Sequence, residues 1–257
     1  MVAHLTGTPW LRELRPGAAA DTVLVCFPPG GGSVTAYRAL ASLIGPGTTV
    51  FAVQYPGRQE RYADQPVSVL TDLAAAITQD LLRWPATTRL ALFGHSMGAT
   101  LAYETARRLA AAGRTPAHLF VSGRPAPAYE ESGRVHRGTD SDLIGVLERL
   151  ANDPASVRIL RDEPGLAELV LPAVRADYTA IETYRHEPGD RLNCPITTLV
   201  STADPTVTVE QAGEWANYTT ASFDLVTFPG AHFYLDLPEQ TPAVAKTLTD
   251  RLTSAAG

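Results

Sequence analysis

The fold of this chain is decided by the stretch Arg89-Leu90-Ala91-Leu92-Phe93-Gly94-His95-Ser96-Met97-Gly98-Ala99. An apolar run of strand length precedes the first glycine, and a long helical pattern begins at Met97. Gly-x-Ser-x-Gly in that context is typical of a nucleophile elbow, a sharp turn that holds a serine hydroxyl out of a sheet. Gly94 and Gly98 suit such a turn because residues without side chains let the strand and the helix approach closely. The alternative interpretation is that Ser96 is a helix N-cap, which is a common role for serine.

The composition narrows the classes of protein. The chain has 257 residues, of which 45% are hydrophobic, enough for one α/β domain with an insertion. The formal net charge of −6 argues against a nucleic-acid-binding protein, which normally carries a basic excess. Cys26 and Cys194 lie in or beside apolar runs, so we expect small buried side chains rather than a disulfide or a catalytic thiol.

The sequence shows no pattern typical of a metal site, a signal peptide or a membrane-spanning helix. No cluster of histidines and cysteines has the spacing of metal ligands, and we expect neither a metal nor another cofactor. The N-terminus carries no signal-peptide pattern, and no apolar run approaches the ~18 residues that span a bilayer. We therefore expect a soluble, cytoplasmic protein without a membrane or nucleic-acid partner.

Predicted strands and helices alternate along the chain, which indicates parallel pairing and a doubly wound α/β sheet. Trp10–Leu14 is either a short edge strand or a packed arm. The predicted helices lie near residues 37–44, 67–84, 97–112, 209–218 and 238–253. The predicted strands are Thr22–Phe27, Thr48–Gln54, Arg89–Phe93, His118–Ser122, Ile196–Val200 and Phe223–Phe228.

The alternation is interrupted by residues 124–192, called the helical segment below. Its three helical patterns cover Asp140–Leu150, Pro154–Leu160 and Gly165–Tyr184. We predict a core made of residues 1–123 and 193–257 with the helical segment inserted into it. A connection that leaves the carboxyl end of a parallel strand lies where ligands bind, so we interpret the segment as a lid. An ordinary helical subdomain without a gating role is the alternative.

A serine nucleophile needs a histidine base and a carboxylate that orients the base, and elbow-type hydrolases place them in the order Ser, acid, His. Of the six histidines, only His232 lies in a loop directly after a late strand, from which it could reach Ser96. Asp204 directly follows the preceding strand and is the predicted acid. Asp224 and Asp236 remain as alternatives.

The tetrahedral intermediate of acyl transfer needs two backbone N–H donors. Met97, directly after the predicted nucleophile, supplies one of them, and the dipole of its helix assists. The second is expected from the glycine-rich loop Pro28-Pro29-Gly30-Gly31-Gly32. Proline has no N–H, so Gly30 is the first donor available and Gly31 the next. Phosphate binding is the alternative for such a loop, but it lacks the Lys-Ser/Thr ending of a P-loop and the G-x-G-x-x-G spacing.

Several motifs, taken together, resemble the type II thioesterases. These are the stand-alone α/β-hydrolases that accompany polyketide and nonribosomal peptide synthases. The resemblance extends over nearly the whole chain, from about residue 8 to residue 252. It rests on Phe27–Ser33, Tyr55–Arg61, Gly94–Ala99, Ala176–Tyr178 with Glu182–Tyr184, and Gly230–Phe233.

The resemblance implies a serine thioesterase that removes aberrant or stalled acyl groups from the phosphopantetheine arm of an acyl or peptidyl carrier protein. It implies that Ser96 attacks the thioester carbonyl, that His232 takes the proton, and that Asp204 orients His232. The N–H groups of Gly30 and Met97 would hold the oxyanion. The family also implies a mobile lid, a monomer, and a transient contact with the carrier protein.

The chain departs from the family pattern at two places. The family often has His or Tyr followed by Ala where this chain has Pro29-Gly30, which bears on the flexibility of the glycine-rich loop. It often has a Gly-Gly-Thr-Pro turn where this chain has Ala151-Asn152-Asp153-Pro154, which bears on acyl chain length. Arg58 and Arg61 are either structural ion-pair anchors or contacts to an acidic carrier protein.

Other functions stay open at this point. A carboxylesterase, a cyclising thioesterase or an acyl-CoA thioesterase of the same fold would use the same three residues. A catalytically inactive scaffold is a further alternative, and it is disfavoured by the presence of Ser96, Asp204 and His232 in one chain.

Overall fold

One seven-stranded sheet organises the protein, whose computed structural model describes residues 8–17 and 22–254. The strands are Leu11–Arg15 (β1), Thr22–Phe27 (β2), Thr48–Val53 (β3), Arg89–His95 (β4), His118–Ser122 (β5), Ile196–Ser201 (β6) and Phe223–Phe228 (β7). Their order across the sheet is β1-β3-β2-β4-β5-β6-β7, and every pair is parallel except β1 with β3. The predicted doubly wound α/β sheet is confirmed, and Trp10–Leu14 corresponds to an antiparallel edge strand.

Helices cover both faces of this sheet, which is why its strands are apolar on both sides. All residues of β2, β3, β5 and β6 are buried. The α-helices of the described ranges are Arg38–Leu43 (α1), Leu70–Leu82 (α2), Met97–Ala111 (α3), Asp140–Leu150 (α4), Pro154–Asp162 (α5), Pro164–Thr183 (α6), Val209–Gly213 (α7) and Thr241–Ser254 (α8). One hydrophobic core packs α2 and α3 against the sheet, and a second packs α1 and α8 against the opposite face.

Three predicted helices differ from the structure at their ends. The helix predicted near 67–84 is shorter and covers Leu70–Leu82. The helix predicted near 209–218 is an α-helix only to Gly213 and tightens into a 3₁₀-helix over Glu214–Tyr218. This tightening accompanies the burial of Trp215, whose indole N–H donates to the Arg124 carbonyl at 2.9 Å. The last helix, predicted near 238–253, covers Thr241–Ser254.

The helical segment contains α4, α5 and α6. It has a small apolar core of its own around Leu143, Ile144, Leu171 and Val174. None of the residues of α5 is buried, whereas the end of α6 joins the main core through Ala180. The segment is therefore fixed to the sheet by the second half of α6.

Two further findings concern the chain as a whole. Cys26 and Cys194 are both buried and free, as predicted. In the ranges 8–17 and 22–254, none of the helices combines the length and apolar character that crossing a membrane requires.

Candidate active site

The turn between β4 and α3 has the strained backbone expected of a nucleophile elbow. Ser96 has φ 54° and ψ −123°, a conformation that a residue with a side chain rarely adopts. An N-cap serine has extended backbone angles, and its side chain accepts a hydrogen bond from the first turn. Ser96 does neither, so the N-cap interpretation is wrong. Its backbone N–H donates instead to the carbonyl of Ser122 at the end of β5, at 2.8 Å.

The two glycines of the elbow are required by close backbone approach. A Cβ atom built on Gly94 would lie 2.0 Å from the carbonyl oxygen of Gly98. A Cβ built on Gly98 would lie 2.0 Å from the carbonyl oxygen of Phe27, the last residue of β2. The elbow is therefore packed directly against the start of the glycine-rich loop, which continues from β2.

Sheet topology brings the predicted acid and base together. The loops after β6 and β7 are neighbours, and they place Asp204 beside His232. The Asp204 Oδ2 atom lies 2.8 Å from His232 Nδ1, and the two side chains are 0% and 2% exposed. A buried carboxylate on Nδ1 fixes the ring so that Nε2 is the basic nitrogen.

The two alternative acids are placed elsewhere. Asp224 pairs with Arg251, whose Nε donates to Asp224 Oδ2 at 3.0 Å. The Asp236 side chain is exposed at the surface. Neither has a hydrogen bond to His232 in the described structure, so its geometry favours Asp204 among the three.

The residue before Ser96 contacts this pair, whereas Ser96 itself makes no hydrogen bond to it. The ring of His95, the residue before Ser96, lies 4.8 Å from the His232 ring, centroid to centroid. Within the described ranges the Ser96 hydroxyl has no hydrogen bond to His232 or Asp204. Catalytic hydrogen bonds are often long in the absence of substrate and shorten when it binds. The structure thus places the three side chains at one edge of the sheet and joins two of them.

The glycine-rich loop leaves one N–H free for a ligand. Pro28 and Pro29 have no N–H, the N–H of Gly32 donates to the Pro29 carbonyl at 2.9 Å, and that of Gly31 donates to Asp177 Oδ2 at 2.8 Å. Only the N–H of Gly30 lacks a partner among the described residues.

Gly30 is also close to the other predicted donor. A Cβ on Gly30 would be 4.0 Å from the Cβ of Met97. Met97 is the first residue of α3, where backbone N–H groups have no partner inside the helix. The two predicted donors therefore lie side by side.

Sequence reasoning missed two groups that support the acid and the base. The Thr206 hydroxyl donates to Asp204 Oδ1 at 2.8 Å and lies 3.1 Å from His232 Nδ1. The Thr206 backbone N–H donates to the same Asp204 oxygen at 2.8 Å. An aspartate that bonds the residue two positions on is a common turn, and the Asp-Pro-Thr spacing is the signal that could have found it.

The second group lies beneath His232. His95 is buried, and its Nδ1 is 2.9 Å from the hydroxyl of Ser122, which is 2.7 Å from the hydroxyl of Tyr234. Burial, and the neighbouring His232, hold the pKa of His95 well below the usual value, so this ring is neutral. The pairing of β4 with β5, which sets His95 opposite Ser122, is visible only in the folded sheet.

Arg58 and Arg61 are both structural anchors. Arg58 pairs with Asp177, and Arg61 donates to Asp64 Oδ2 at 2.7 Å and lies 4.2 Å from the centre of the Trp10 ring. Each arginine side chain is 11% exposed. In residues 8–17 and 22–254 no group of three or more histidine, cysteine, aspartate or glutamate side chains is placed to hold a metal ion.

A mostly parallel sheet with a serine on a strained turn between strand and helix defines the α/β-hydrolase class. Comparison with protein families gives the particular family. The chain belongs to the thioesterase domain family, whose model matches residues 22–252. This match confirms the resemblance that the sequence motifs indicated. It also confirms the predicted class of enzyme, a thioester hydrolase.

The chain is similar to several proteins named as thioesterases. The chain is 43% identical over 231 residues to a probable cadicidin biosynthesis thioesterase of Streptomyces griseus, covering 90% of this chain and 63% of that protein. It is 36% identical to thioesterase PikA5 of Streptomyces venezuelae, covering 96% of this chain and 87% of that protein. The solved structure of the type II thioesterase BorB, from the borrelidin biosynthetic cluster, superposes with a TM-score of 0.83 at 40% identity, covering 95% of this chain and 97% of that one. The chain thus spans less than two thirds of the first relative and most of the other two.

Proposed function

We propose that this protein hydrolyses acyl thioesters held on the phosphopantetheine arm of acyl or peptidyl carrier proteins, removing aberrant or stalled acyl groups in polyketide or nonribosomal peptide biosynthesis. The biosynthetic thioesterases that it resembles support this substrate class. The observation that carries the chemistry is the buried Asp204–His232 pair beside the strained Ser96.

The proposed reaction begins with proton transfer. Asp204 accepts the hydrogen bond from the His232 Nδ1–H, which leaves Nε2 to take the proton of the Ser96 hydroxyl. The Ser96 oxygen then attacks the thioester carbonyl, and the carbonyl oxygen becomes an oxyanion. The N–H groups of Met97 and Gly30 donate to that oxygen.

The intermediate collapses by breaking the carbon–sulfur bond. The leaving sulfur takes the proton from His232 Nε2, and the acyl group stays on Ser96 as an ester. Water, deprotonated by His232, then attacks that ester by the same steps and releases the free acid. A thiolate leaves readily, so His232 contributes more as a base than as an acid.

We assign the helical segment as a lid that shapes access to Ser96, inserted into a core of residues 1–123 and 193–257. One contact and one cleft support this assignment. Asn152, in the turn between α4 and α5, donates to the carbonyl of Phe233 at 2.8 Å, directly beside His232. A cleft of about 430 Å³ opens between α6 and the glycine-rich loop. Leu169, Val170 and Val174 are in its lining, which suits an acyl chain.

We propose that the protein acts in the cytoplasm as a monomer that binds its carrier protein transiently. The deciding experiment is an assay on carrier proteins loaded with acyl groups from acetyl to long chain. Matched acyl-CoA and p-nitrophenyl esters separate the proposal from the acyl-CoA thioesterase and carboxylesterase alternatives. Turnover of p-nitrophenyl esters with none of acyl-carrier thioesters would contradict the proposal.

Labelling by a fluorophosphonate tests the nucleophile separately. We expect covalent labelling of the parent and none of Ser96→Ala. Equal labelling of both proteins would reject Ser96, and no labelling of either would favour an inactive scaffold.

A further inference from the structure

The glycine-rich loop is held by an ion pair that belongs to neither the loop nor the elbow. Arg58 follows β3, and Asp177 lies on α6 in the helical segment. The guanidinium is bidentate: Arg58 Nη1 lies 2.7 Å from Asp177 Oδ2, and Nη2 lies 2.8 Å from Oδ1. The side chains are 11% and 2% exposed. A planar guanidinium and a carboxylate in this arrangement fix each other in direction as well as in distance.

Both members of the pair also bond the backbone of the loop. Asp177 Oδ2 accepts the N–H of Gly31 at 2.8 Å. Arg58 Nη1 donates to the carbonyl of Gly32, also at 2.8 Å. The pair therefore holds two consecutive residues directly after Gly30, one through its N–H and one through its carbonyl.

These bonds select one of two available turns. The N–H of Gly32 closes a four-residue turn on the carbonyl of Pro29 at 2.9 Å, and Gly31, the third residue, has φ +77°. A positive φ at that position is the type II turn, which differs from type I by a flip of the peptide between Gly30 and Gly31. Two central glycines permit both types. The bond from the Gly31 N–H to Asp177 is made only when that peptide has the observed direction.

The direction of the Gly30 N–H follows from the same turn. The N–H of Gly30 and the carbonyl of Pro29 belong to one trans peptide unit, so they point in opposite directions. Because the Pro29 carbonyl faces inward to Gly32, the Gly30 N–H faces outward from the turn. Types I and II share this closing bond, so Arg58 and Asp177 act on the Gly30 N–H by holding Gly31 and Gly32 in the closed turn.

We propose that Asp177 and Arg58 are positioning residues for hydrolysis, which hold the glycine-rich loop in the turn that aims the Gly30 N–H at the oxyanion. This inference rests on the proposed function, which makes Gly30 an oxyanion donor. It also gives the helical segment a second task, because the carboxylate that secures the donor comes from α6.

The test must separate positioning from stability. Removing one member of a buried ion pair leaves an unpaired charge and is strongly destabilising, whereas replacing both by apolar residues is often neutral or stabilising. The double variant Arg58→Met/Asp177→Leu therefore removes both backbone contacts without leaving a charge buried. A second double variant, Arg58→Met/Asp177→Asn, restores an acceptor for the Gly31 N–H.

We expect Arg58→Met/Asp177→Leu to melt within a few degrees of the parent. Its kcat on an acyl-carrier thioester should fall roughly 10- to 100-fold with little change in KM, because losing one oxyanion donor costs about 10²–10³ in kcat. The Asn variant should recover part of that loss. The control is Arg161→Gln/Glu148→Gln, which removes an ion pair between α4 and α5 of the same segment. It should keep the parent kcat.

The readouts distinguish the possible failures. A folded Arg58→Met/Asp177→Leu protein with a kcat within threefold of the parent would overturn the inference. If that protein does not melt cooperatively, Arg58→Lys decides, since it keeps a cation beside Asp177 but loses the bidentate fork. A parent kcat in Arg58→Lys would then overturn the inference, and a reduced kcat with unchanged KM would support it. Inactivity of the parent itself on carrier-bound, CoA and p-nitrophenyl substrates would instead contradict the proposed function.

Discussion

The two turns that would together hold an oxyanion are built in opposite ways. The elbow has no free space: a Cβ on Gly94 or Gly98 would lie 2.0 Å from a backbone carbonyl oxygen. The glycine-rich loop has room, since a Cβ on Gly30 would find its nearest neighbour 3.7 Å away. The elbow is fixed by its own crowded backbone, whereas the loop is fixed by the side chains of Arg58 and Asp177.

The two turns are held by different kinds of contact, backbone against backbone at the elbow and side chain against backbone at the loop. The crowding at the elbow is produced by neighbouring strands that meet at one edge, with Phe27 of β2 opposite Gly94 of β4. The loop depends on Asp177, which lies 146 residues further along the chain than Gly31. The Met97 N–H, at the elbow, should therefore tolerate almost no substitution of nearby residues. The Gly30 N–H should tolerate substitution of Gly30 itself, but not of the distant residues Arg58 and Asp177.

The largest expected effect is at the elbow. Gly98→Ala should abolish both activity and cooperative folding, because its Cβ cannot be accommodated against the Phe27 carbonyl. Circular dichroism melting and fluorophosphonate labelling measure the two losses. The matched control is Gly145→Ala, inside α4, where the nearest atoms to a new Cβ are the ends of flexible arginine side chains at 3.5 and 3.7 Å. That variant should be stabilised by about 1 kcal/mol or less, since alanine favours helix over glycine. A Gly98→Ala protein that melts like the parent would refute the description of the elbow as crowded.

The second effect concerns Asp204, the carboxylate that orients the base His232. Asp204→Asn should fold normally and lose roughly 10²–10⁴-fold in kcat, as a wrongly oriented imidazole does in catalytic triads. The measurement is steady-state hydrolysis of an acyl-carrier thioester together with a thermal melt. Asp224→Asn is the control and should keep the parent kcat, because Asp224 pairs with Arg251. Retained turnover in Asp204→Asn would transfer the acid role to another carboxylate.

Much of this architecture could be predicted from local patterns. The alternation of apolar runs and helical spacing gave the order of the elements, because each pattern is a property of a few consecutive residues. The G-x-S-x-G turn and the order of Ser96, Asp204 and His232 follow from the same kind of information. The element ends were less certain: β4 runs on to His95, because the backbone of the elbow stays paired with β5.

The long-range contacts could not be predicted in this way. The pairing of Arg58 with Asp177, and the contact of Asn152 with Phe233, each join residues more than 80 positions apart. Nothing in the pattern around either residue indicates which partner the fold will bring to it. Two of the motifs carrying the family resemblance, Tyr55–Arg61 and Ala176–Tyr178, receive their physical explanation only from this pairing.

A smaller effect concerns the protonation of His95, the residue that precedes Ser96 at the elbow. Burial keeps His95 neutral in the folded protein and lowers its pKa. The unfolded chain would bind a proton at His95 below its ordinary pKa of about 6.5, and the folded chain would not. The free energy of unfolding should therefore fall with decreasing pH below about 6.5, by about 1.4 kcal/mol per pH unit for this one proton.

The variant that isolates this contribution is His95→Asn, whose amide can occupy the place of Nδ1 beside the Ser122 hydroxyl. Urea unfolding at several pH values between 7 and 5 measures the slopes of both proteins. His118, which is also buried and whose pKa is lowered to about 4, contributes equally to parent and variant and cancels in the difference. Parallel curves would show that His95 titrates alike in the folded and unfolded states.

The smallest effect is at Gly30. The backbone of Gly30 lies outside the left-handed region and a Cβ has space, so Gly30→Ala should keep kcat within about threefold. It should raise the free energy of unfolding by roughly 0.4–1 kcal/mol, because alanine restricts the unfolded chain. Gly31→Ala, one residue on, should instead destabilise by about 1–2 kcal/mol, because its φ of +77° is unfavourable for a side chain. Urea unfolding measures the free energy of unfolding of the two variants, and hydrolysis of an acyl-carrier thioester measures their kcat. A loss of kcat in Gly30→Ala well beyond threefold would mean that the loop, like the elbow, is held by crowding and not by its ion pair.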